Sequence, residues 1–363
     1  MEHLRAVLLA GGRGVRMGRL GQGRLKPLVP FGGQCHLIDF SLSNCRDSGI
    51  DEVLLLSQHN EAQLIHYLLE RWHGQGLKIH FGPYQGITPE TCEHVLATVH
   101  RPAESGTGEA LLFNAPYIFG KDVRDVLVLH ADHVYRFDYG PMLALHRERR
   151  AALTIGYQRI AREAVSLFGM VEFGPGDRLL RFVEKPAHPT SDTVFTAVAI
   201  FSAEPLQRYL DVLSRGPWRA DVSRDVIPAM IQAGERIFGY RFDGYWEDIG
   251  TTARYLEAHH RLVSRPPTLS LAQLPHTLRP DAARRWVSEA EGLRHTLTGE
   301  DVRCEGRAER SVLFPGVIIG PRAVVRDSVV LPGARILGDS RVEGSIVLDG
   351  EHVHDAHLLN RTE

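Results

Sequence analysis

Through the first two thirds of the chain, short unbroken apolar runs alternate with longer amphipathic ones. "AVLLA" (residues 6–10), "EVLLLSQ" (52–58) and "DVLVLHAD" (125–132) each carry at least four consecutive aliphatic residues, the pattern of strands buried on both faces. Between them, "HLIDFSLSNCRDSG", "EAQLIHYLLERW" and "YGPMLALHRERR" space their apolar residues as helices do. Such alternation predicts an α/β domain with a mainly parallel sheet covered on both sides. The later runs "ALTIGYQRI", "FGMVEF", "LLRFVEKP" and "FTAVAIFS" follow one another closely, so the sheet is expected to gain an antiparallel section. A helix from about Thr251 to Val263 then leads into the Pro-rich "SRPPTLSLAQLPHTLRP", where the domain boundary is expected.

The last third has another rhythm. An aliphatic residue recurs every six positions at Val312, Ile318, Val324, Val330, Ile336, Val342 and Leu348, with glycines and prolines between. That period predicts a parallel β-helix of roughly two turns with these side chains pointing inward. Two ordinary β-hairpins turning at the glycines are the competing arrangement. The expected organisation is a catalytic domain over residues 1–262, a linker over 263–300 and a short β-helix over 301–363.

Charge changes the picture little. Lys and Arg number 42 against 44 Asp and Glu, without the basic excess of a non-specific nucleic-acid binder. An anionic ligand must therefore be met by local charge. Four widely separated cysteines lack metal or disulfide spacing, which suggests a reducing cytoplasm. No window approaches a membrane span or a signal peptide. The 19 histidines are scattered, and those in "AHHRL" around His259 and in "EHVHDAHLL" are expected at the surface.

Candidate chemistry concentrates after the first strand, in "GGRGVRMGRLGQGRLKP". A strand followed by glycines brings backbone N–H groups up to phosphate. The loop is not a Walker A sequence, because Gly23 is followed by Arg-Leu-Lys-Pro; Gly12 and Gly14 come close to the dinucleotide fingerprint. Arg13, Arg16, Arg19, Arg24 and Lys26 exceed what a dinucleotide pyrophosphate needs and suit a nucleoside triphosphate.

At this point the chain resembles a known family. "LLAGGRGVRM…RLKPLVPFGG", "LIDFSLSNCRDSGI", "VLHADHVYRFDY", "FVEKPA", "SRDVIPAMI" and "YWEDIGT" are similar, in order, to motifs of the sugar-1-phosphate nucleotidyltransferases. Bacterial ADP-glucose pyrophosphorylases share most of them, and the details most resemble a divergent branch, the valienol-1-phosphate guanylyltransferases of aminocyclitol biosynthesis. The resemblance covers roughly residues 5 to 260. It implies a Rossmann-like nucleotidyltransferase domain with a mainly parallel mixed sheet, followed by a short left-handed parallel β-helix. It also implies a cytoplasmic homo-oligomer, dimer or tetramer, that binds neither nucleic acid nor membrane.

The implied reaction moves a nucleoside monophosphate from GTP or ATP to a cyclitol or sugar 1-phosphate and releases pyrophosphate, with Mg²⁺ as cofactor. By resemblance, Gly11, Gly12, Arg13, Gly14, Gly106, Thr107 and Glu109 bind nucleotide, with Arg16 and Lys26 at the departing phosphates. Asp132 and Asp248 hold the metal, Asp132 being catalytic with Arg16 and Lys26. The competing role for Asp132 is the cap of a helix beginning at "HVYRF"; for Asp248 it is a turn or cap before "GTTARYL". Lys185 and Glu184 meet the acceptor's phosphate and hydroxyls, unless Lys185 is a surface ion-pair lysine. Asp225 is either functional or structural. Where the glucose enzymes read S-M-G-I-Y, this chain has Ala197-Val198-Ala199-Ile200-Phe201. Ala197 and Ala199 thus remove a hydroxyl and add bulk beside the acceptor, which favours a cyclitol over glucose. Glu109 stands where the family has aspartate; a carboxylate can accept from guanine N1–H and N2–H₂.

Overall fold

Each of the three apolar runs forms a buried strand. In the computed structural model, Leu4–Leu9 pairs in parallel with Glu52–Leu56 on one side and Asp125–His130 on the other. Glu52–Leu56 continues in parallel to Lys78–His80. Antiparallel pairing enters with Thr193–Ser202, which lies against both Asp125–His130 and Leu153–Arg159, and with the Gly169–Phe173/Leu179–Glu184 pair. The outcome is the mixed sheet expected, nine strands among the described residues, with these three pairings and that of Ile237–Arg241 with Leu153–Arg159 parallel. Helices Leu37–Asp47, Glu61–Arg71, Tyr139–Glu148 and Thr252–Val263 fall on the amphipathic segments.

The structure describes residues 1–11, 14–57, 61–83, 87–88, 91, 95, 104–275, 285–290 and 292–362. Its contacts gather into two units. One comprises Met1–Gly11, Asn44–Ala131 and Phe137–Gly244 and holds the mixed sheet, with a core that includes Val7, Leu54, Val128, Ile155, Phe201 and Leu206. The other comprises Gly12–Ser43, Asp132–Arg136 and Tyr245–Glu363. The arginine-rich loop therefore groups with the C-terminal coil, rather than with the sheet as the expected boundary after residue 262 has it. Leu293–Thr298, assigned above to a linker, already pairs in parallel with coil strands Arg307–Glu309 and Val312–Leu313.

The coil is a parallel β-helix, as expected, but its middle turns are 17 residues rather than three hexads, after a first turn of 15 and before a last of 16. Leu313 pairs with Val330, Ile319 with Ile336 and Val325 with Val342; Val330 pairs in turn with Val347 and Ile336 with Val353. A strict period of six slips by one residue per turn. Leu313, Ile319 and Val325 therefore point into the core, where Val312, Ile318 and Val324 were expected, while Val330, Ile336 and Val342 point inward as expected. The stack is also taller than two turns, with four or five strands stacked on each face. One corner is stitched by buried serines 17 residues apart. Ser328 N–H donates to Ser311 Oγ (3.2 Å), Ser345 N–H to Ser328 Oγ (3.1 Å) and Arg361 N–H to Ser345 Oγ (3.0 Å).

His259 departs from its expected surface position: it is fully buried. The ring can be buried because both nitrogens have partners. Nδ1–H donates to the Tyr255 carbonyl at 2.8 Å and Nε2 accepts from the Gly32 N–H at 3.1 Å. Tyr255 Oη–H donates to the Pro30 carbonyl at 2.6 Å, so helix Thr252–Val263 grips the "VPFGG" turn twice. Burial depresses the His259 pKa from 6.5 to about 3, with the Tyr255 carbonyl opposing. The unfolded chain thus takes up a proton near pH 6.5 that the folded chain refuses until about pH 3. Stability present above that window is lost on acidification, by up to about 1.4 kcal/mol per pH unit from this ring. Urea unfolding between pH 4.5 and 6.5 should show a shallower dependence in H259Q than in wild type; equal slopes would remove His259 from the account.

Candidate active site

The opening strand ends at Leu9, and Gly11 two residues on is exposed with open space about its Cα; Gly12 and Arg13 lie outside the described residues. Gly14 has φ +65°, and a Cβ there would come within 3.3 Å of the Lys26 Cβ. Only glycine takes that conformation at no steric cost while letting the loop lie against the lysine. Pro27 then opens a short 3-10 turn, Lys26–Leu28, whose three residues are all buried.

Lys26 is the centre of the second unit's charged cluster. It is only 6% exposed, yet its Nζ lies 2.5 Å from Asp132 and 3.4 Å from Asp248. Burial by itself would lower the ammonium pKa; the two carboxylates outweigh it and hold the pKa above its ordinary value. The two aspartates meet because their strands pair: Trp246–Asp248 runs antiparallel to His133–Tyr135, placing Asp248 opposite His133. No helix starts after Asp132, so the cap alternative falls. Helix Thr252–Val263 is capped by the Thr251 hydroxyl, which accepts from Arg254 N–H at 3.3 Å, so Asp248 is not its cap. Arg16 is exposed but reaches the same place. A Cβ at Gly250 would lie 3.7 Å from both Asp248 oxygens and 3.8 Å from an Arg16 guanidinium nitrogen.

Two neighbours missed in the sequence hold this cluster. The Trp246 indole N–H donates to His133 Nδ1 at 3.2 Å, the rings crossing edge to face. An indole can only donate, so the neutral imidazole carries its proton on Nε2, which faces Asp132 at 3.6 Å and Asp248 at 3.9 Å. The His133 N–H, rather than a ring lone pair, is therefore turned toward the carboxylates, beyond hydrogen-bond distance of either. Glu247, buried next to Asp248, is clamped by Arg254 at 2.6 Å and Arg261 at 2.9 Å from the following helix. Both residues sit in the quoted motifs "ADHVYRF" and "YWEDIGT", and the signal available was their adjacency to the aspartates. Donor atoms of Asp132, His133 and Asp248 lie within 4.8 Å of one another. Two hard carboxylate oxygens with a hydrogen-bonding imidazole fit a hard divalent cation such as Mg²⁺.

The acceptor and base candidates belong to the sheet unit. Glu184 and Lys185 end the strand Leu179–Glu184, with Lys185 at φ +50° and its Nζ 3.6 Å from Glu184. Burial raises the Glu184 pKa; Asp221 adds to the shift and Lys185 opposes it. A Cβ at Gly169 would lie 3.1 Å from a Glu184 oxygen, so "LFGMVEF" keeps space beside that carboxylate. Ala197 is left-handed (φ +58°) at a break in register of its strand, and Ala199 is buried and paired with Val128 and Ile155.

Gly106 and Gly108 owe their small size to a chain crossing. Cβ atoms there would lie 2.4 Å and 3.0 Å from the Ala220 carbonyl oxygen, which accepts from Gly108 N–H at 2.7 Å. Thr107 Oγ1 accepts from Val222 N–H at 2.9 Å, and one Glu109 oxygen accepts from Ser105 N–H at 2.6 Å. Asp225 accepts from the N–H groups of Arg219 (3.0 Å) and Asp221 (2.9 Å), which gives it the structural role.

A buried lysine between two aspartates brought together by paired strands is the charged centre of the candidate site. Residues 5–265 match the nucleotidyl transferase family, and the chain belongs to it. It is 50% identical to the valienol-1-phosphate guanylyltransferase of Streptomyces hygroscopicus subsp. limoneus over 328 residues, 88% of each chain. It is 33% identical to the glucose-1-phosphate adenylyltransferase of Bacillus mycoides (strain KBAB4), and 32% to that of Bacillus anthracis. Each of those alignments spans 98% of this chain and 94% of the relative. The protein is a nucleotidyltransferase, and among its described residues no helix is long and apolar enough to cross a membrane.

Proposed function

We propose that this nucleotidyltransferase transfers GMP from GTP to valienol 1-phosphate, forming GDP-valienol and pyrophosphate. The observation that carries the reaction is the Lys26–Asp132–Asp248 cluster. The relative at 50% identity supports the substrate pair, and the methyl side chains of Ala197 and Ala199 support the cyclitol acceptor. An acceptor 1-phosphate oxygen attacks the α-phosphorus, the bond to the β-phosphate oxygen breaks, and pyrophosphate leaves with the electron pair. Both reactants are anions, so the chain's task is to neutralise and align them.

Asp132 and Asp248 would hold Mg²⁺, which supplies positive charge at the α-phosphate. Lys26, kept protonated by the same carboxylates, contributes a fixed point charge to the departing phosphates. Arg16 adds a planar fork for two oxygens. The backbone of Gly11, Gly12, Arg13 and Gly14 cradles phosphate; Gly106, Thr107 and Glu109 border the base. Lys185 takes the acceptor's phosphate. Glu184, whose carboxyl burial makes a better proton-sharing partner, takes its hydroxyls. Cytoplasmic residence and a dimer or tetramer complete the reading; Cys35, Cys45 and Cys304 are free, as a reducing compartment requires.

The test is pyrophosphate release with Mg²⁺, pairing GTP or ATP with valienol 1-phosphate or glucose 1-phosphate. Turnover confined to GTP with the cyclitol phosphate is expected. Efficient turnover of ATP with glucose 1-phosphate would replace the substrate assignment with that of the Bacillus relatives.

A further inference from the structure

Two arginines of the glycine-rich loop, Arg19 and Arg24, face carboxylates of the coil. Arg24 is hydrogen-bonded to the Asp349 carboxylate, and Arg19 lies 3.7 Å from Glu351. Both acids stand at one corner of the β-helix. Glu351 is itself pinned there by Arg361 Nη2, 2.8 Å from each of its oxygens, and by the Leu348 N–H at 2.9 Å.

The 17-residue register sets this corner against two others. Corresponding corners read Pro315-Gly316-Val317 and Pro332-Gly333-Ala334, and each of the three corner glycines has positive φ. At the third level the same turn reads Asp349-Gly350-Glu351. Proline and an apolar residue are replaced by two carboxylates at the level that meets the arginines.

The lower corner meets the other end of the same segment. A Cβ at Gly299 would lie 3.0 Å from the Gly33 carbonyl and 2.7 Å from Pro315, and one at Gly32 would strike Leu274 at 2.9 Å. The segment from Arg19 to Gly33 is thus held at both ends, by packing at Gly32–Gly33 and by charge at Arg19 and Arg24. Gly18 and Gly23, each next to one of these arginines, take φ values of +49° and +72°, as Gly32 (+59°) and Gly33 (+83°) do at the packed end.

We propose that Asp349 and Glu351 are positioning residues for the nucleotide. They anchor Arg19 and Arg24 to the coil, so that the loop carrying Arg16 and Lys26 is preformed when the triphosphate binds. On this account Arg19 and Arg24 are scaffold contacts, which explains a positive charge on the loop beyond what one triphosphate requires. The use of the anchor rests on the functional reading above; the anchor itself rests on geometry alone.

Two readouts on the double variant D349N/E351Q separate these. Hydrogen exchange of the amides between Gly18 and Leu25 is expected to quicken. The KM for the nucleoside triphosphate should rise about threefold to tenfold, the scale of two partly exposed ion pairs. The KM for the acceptor phosphate and the unfolding temperature should stay near wild type. Unchanged exchange overturns the anchor. Tighter triphosphate binding overturns it too, because the carboxylates would then be competitors for arginines that serve phosphate directly. Equal loss of both substrates together with a lowered unfolding temperature reduces the corner to a general structural contact. Should D349N/E351Q not fold, R24D/D349R reverses the pair; exchange as fast as in R24D alone is the negative result. Wild-type protein that binds no triphosphate would fail the functional reading, with exchange still deciding the anchor.

Discussion

D132N is expected to lower the rate of pyrophosphate release by a factor of about 10³ while the fold stays intact. Asparagine keeps the shape of aspartate, so the strand pairing of His133–Tyr135 with Trp246–Asp248 is untouched. What is lost is one of two negative charges that face Lys26 and converge on the cation position. With Asp132 neutral, Lys26 keeps only Asp248 at 3.4 Å, and burial then weighs more heavily against its charged form. Affinity for a divalent cation and turnover should therefore fall together. Steady-state rates, near-UV circular dichroism and Mn²⁺ binding measure the three quantities. A folded D132N with near-wild-type turnover would refute the assignment of the site.

K26M should separate what D132N moves together. Removing the ammonium takes a fixed charge from the departing phosphates, and turnover is expected to drop about 10²-fold to 10³-fold. It also leaves Asp132 and Asp248, with side chains 23% and 22% exposed, facing each other without their internal counter-ion. Their repulsion lowers the stability of the metal-free protein, and a divalent cation no longer has to displace a lysine. Mn²⁺ should bind K26M more tightly than wild type and raise its unfolding temperature by a larger increment. If metal affinity falls in K26M as it does in D132N, the lysine supports the ion rather than standing in for it.

The sheet was legible because its strands are buried on both faces: "DVLVLHAD" has no polar interruption and no other element could use it so well. Asp132, Asp248 and Lys26 were legible through motifs, yet their convergence depends on a two-strand pairing that no local pattern announces. His259 was misread because exposure was inferred from residue type; its two hydrogen-bond partners are the fourth residue back and one 227 positions away. The coil was recognised but placed out of phase. A six-residue count follows the flat faces and ignores the shortened corner. The repeated units beginning at Ser311, Ser328 and Ser345 carry the true spacing. The acids at Asp349 and Glu351 drew no notice, because only that spacing sets them against Pro315 and Pro332.

A coil whose middle levels repeat every 17 residues can change height there only in whole steps. Adding or deleting one complete unit, such as Ser328–Gly344, leaves each inward aliphatic residue and each corner serine over its counterpart. Losing a single residue would dislocate everything above it. Descendants of such a chain can therefore lengthen or shorten the stack by tandem copying and still fold. The floor bearing Asp349 and Glu351 is different, for it can serve the arginines only at one elevation. Copying a unit beneath it would lift those acids by one strand spacing, about 4.8 Å, out of reach of their partners. In a lineage that relies on this contact, the height of the tower is not free to drift.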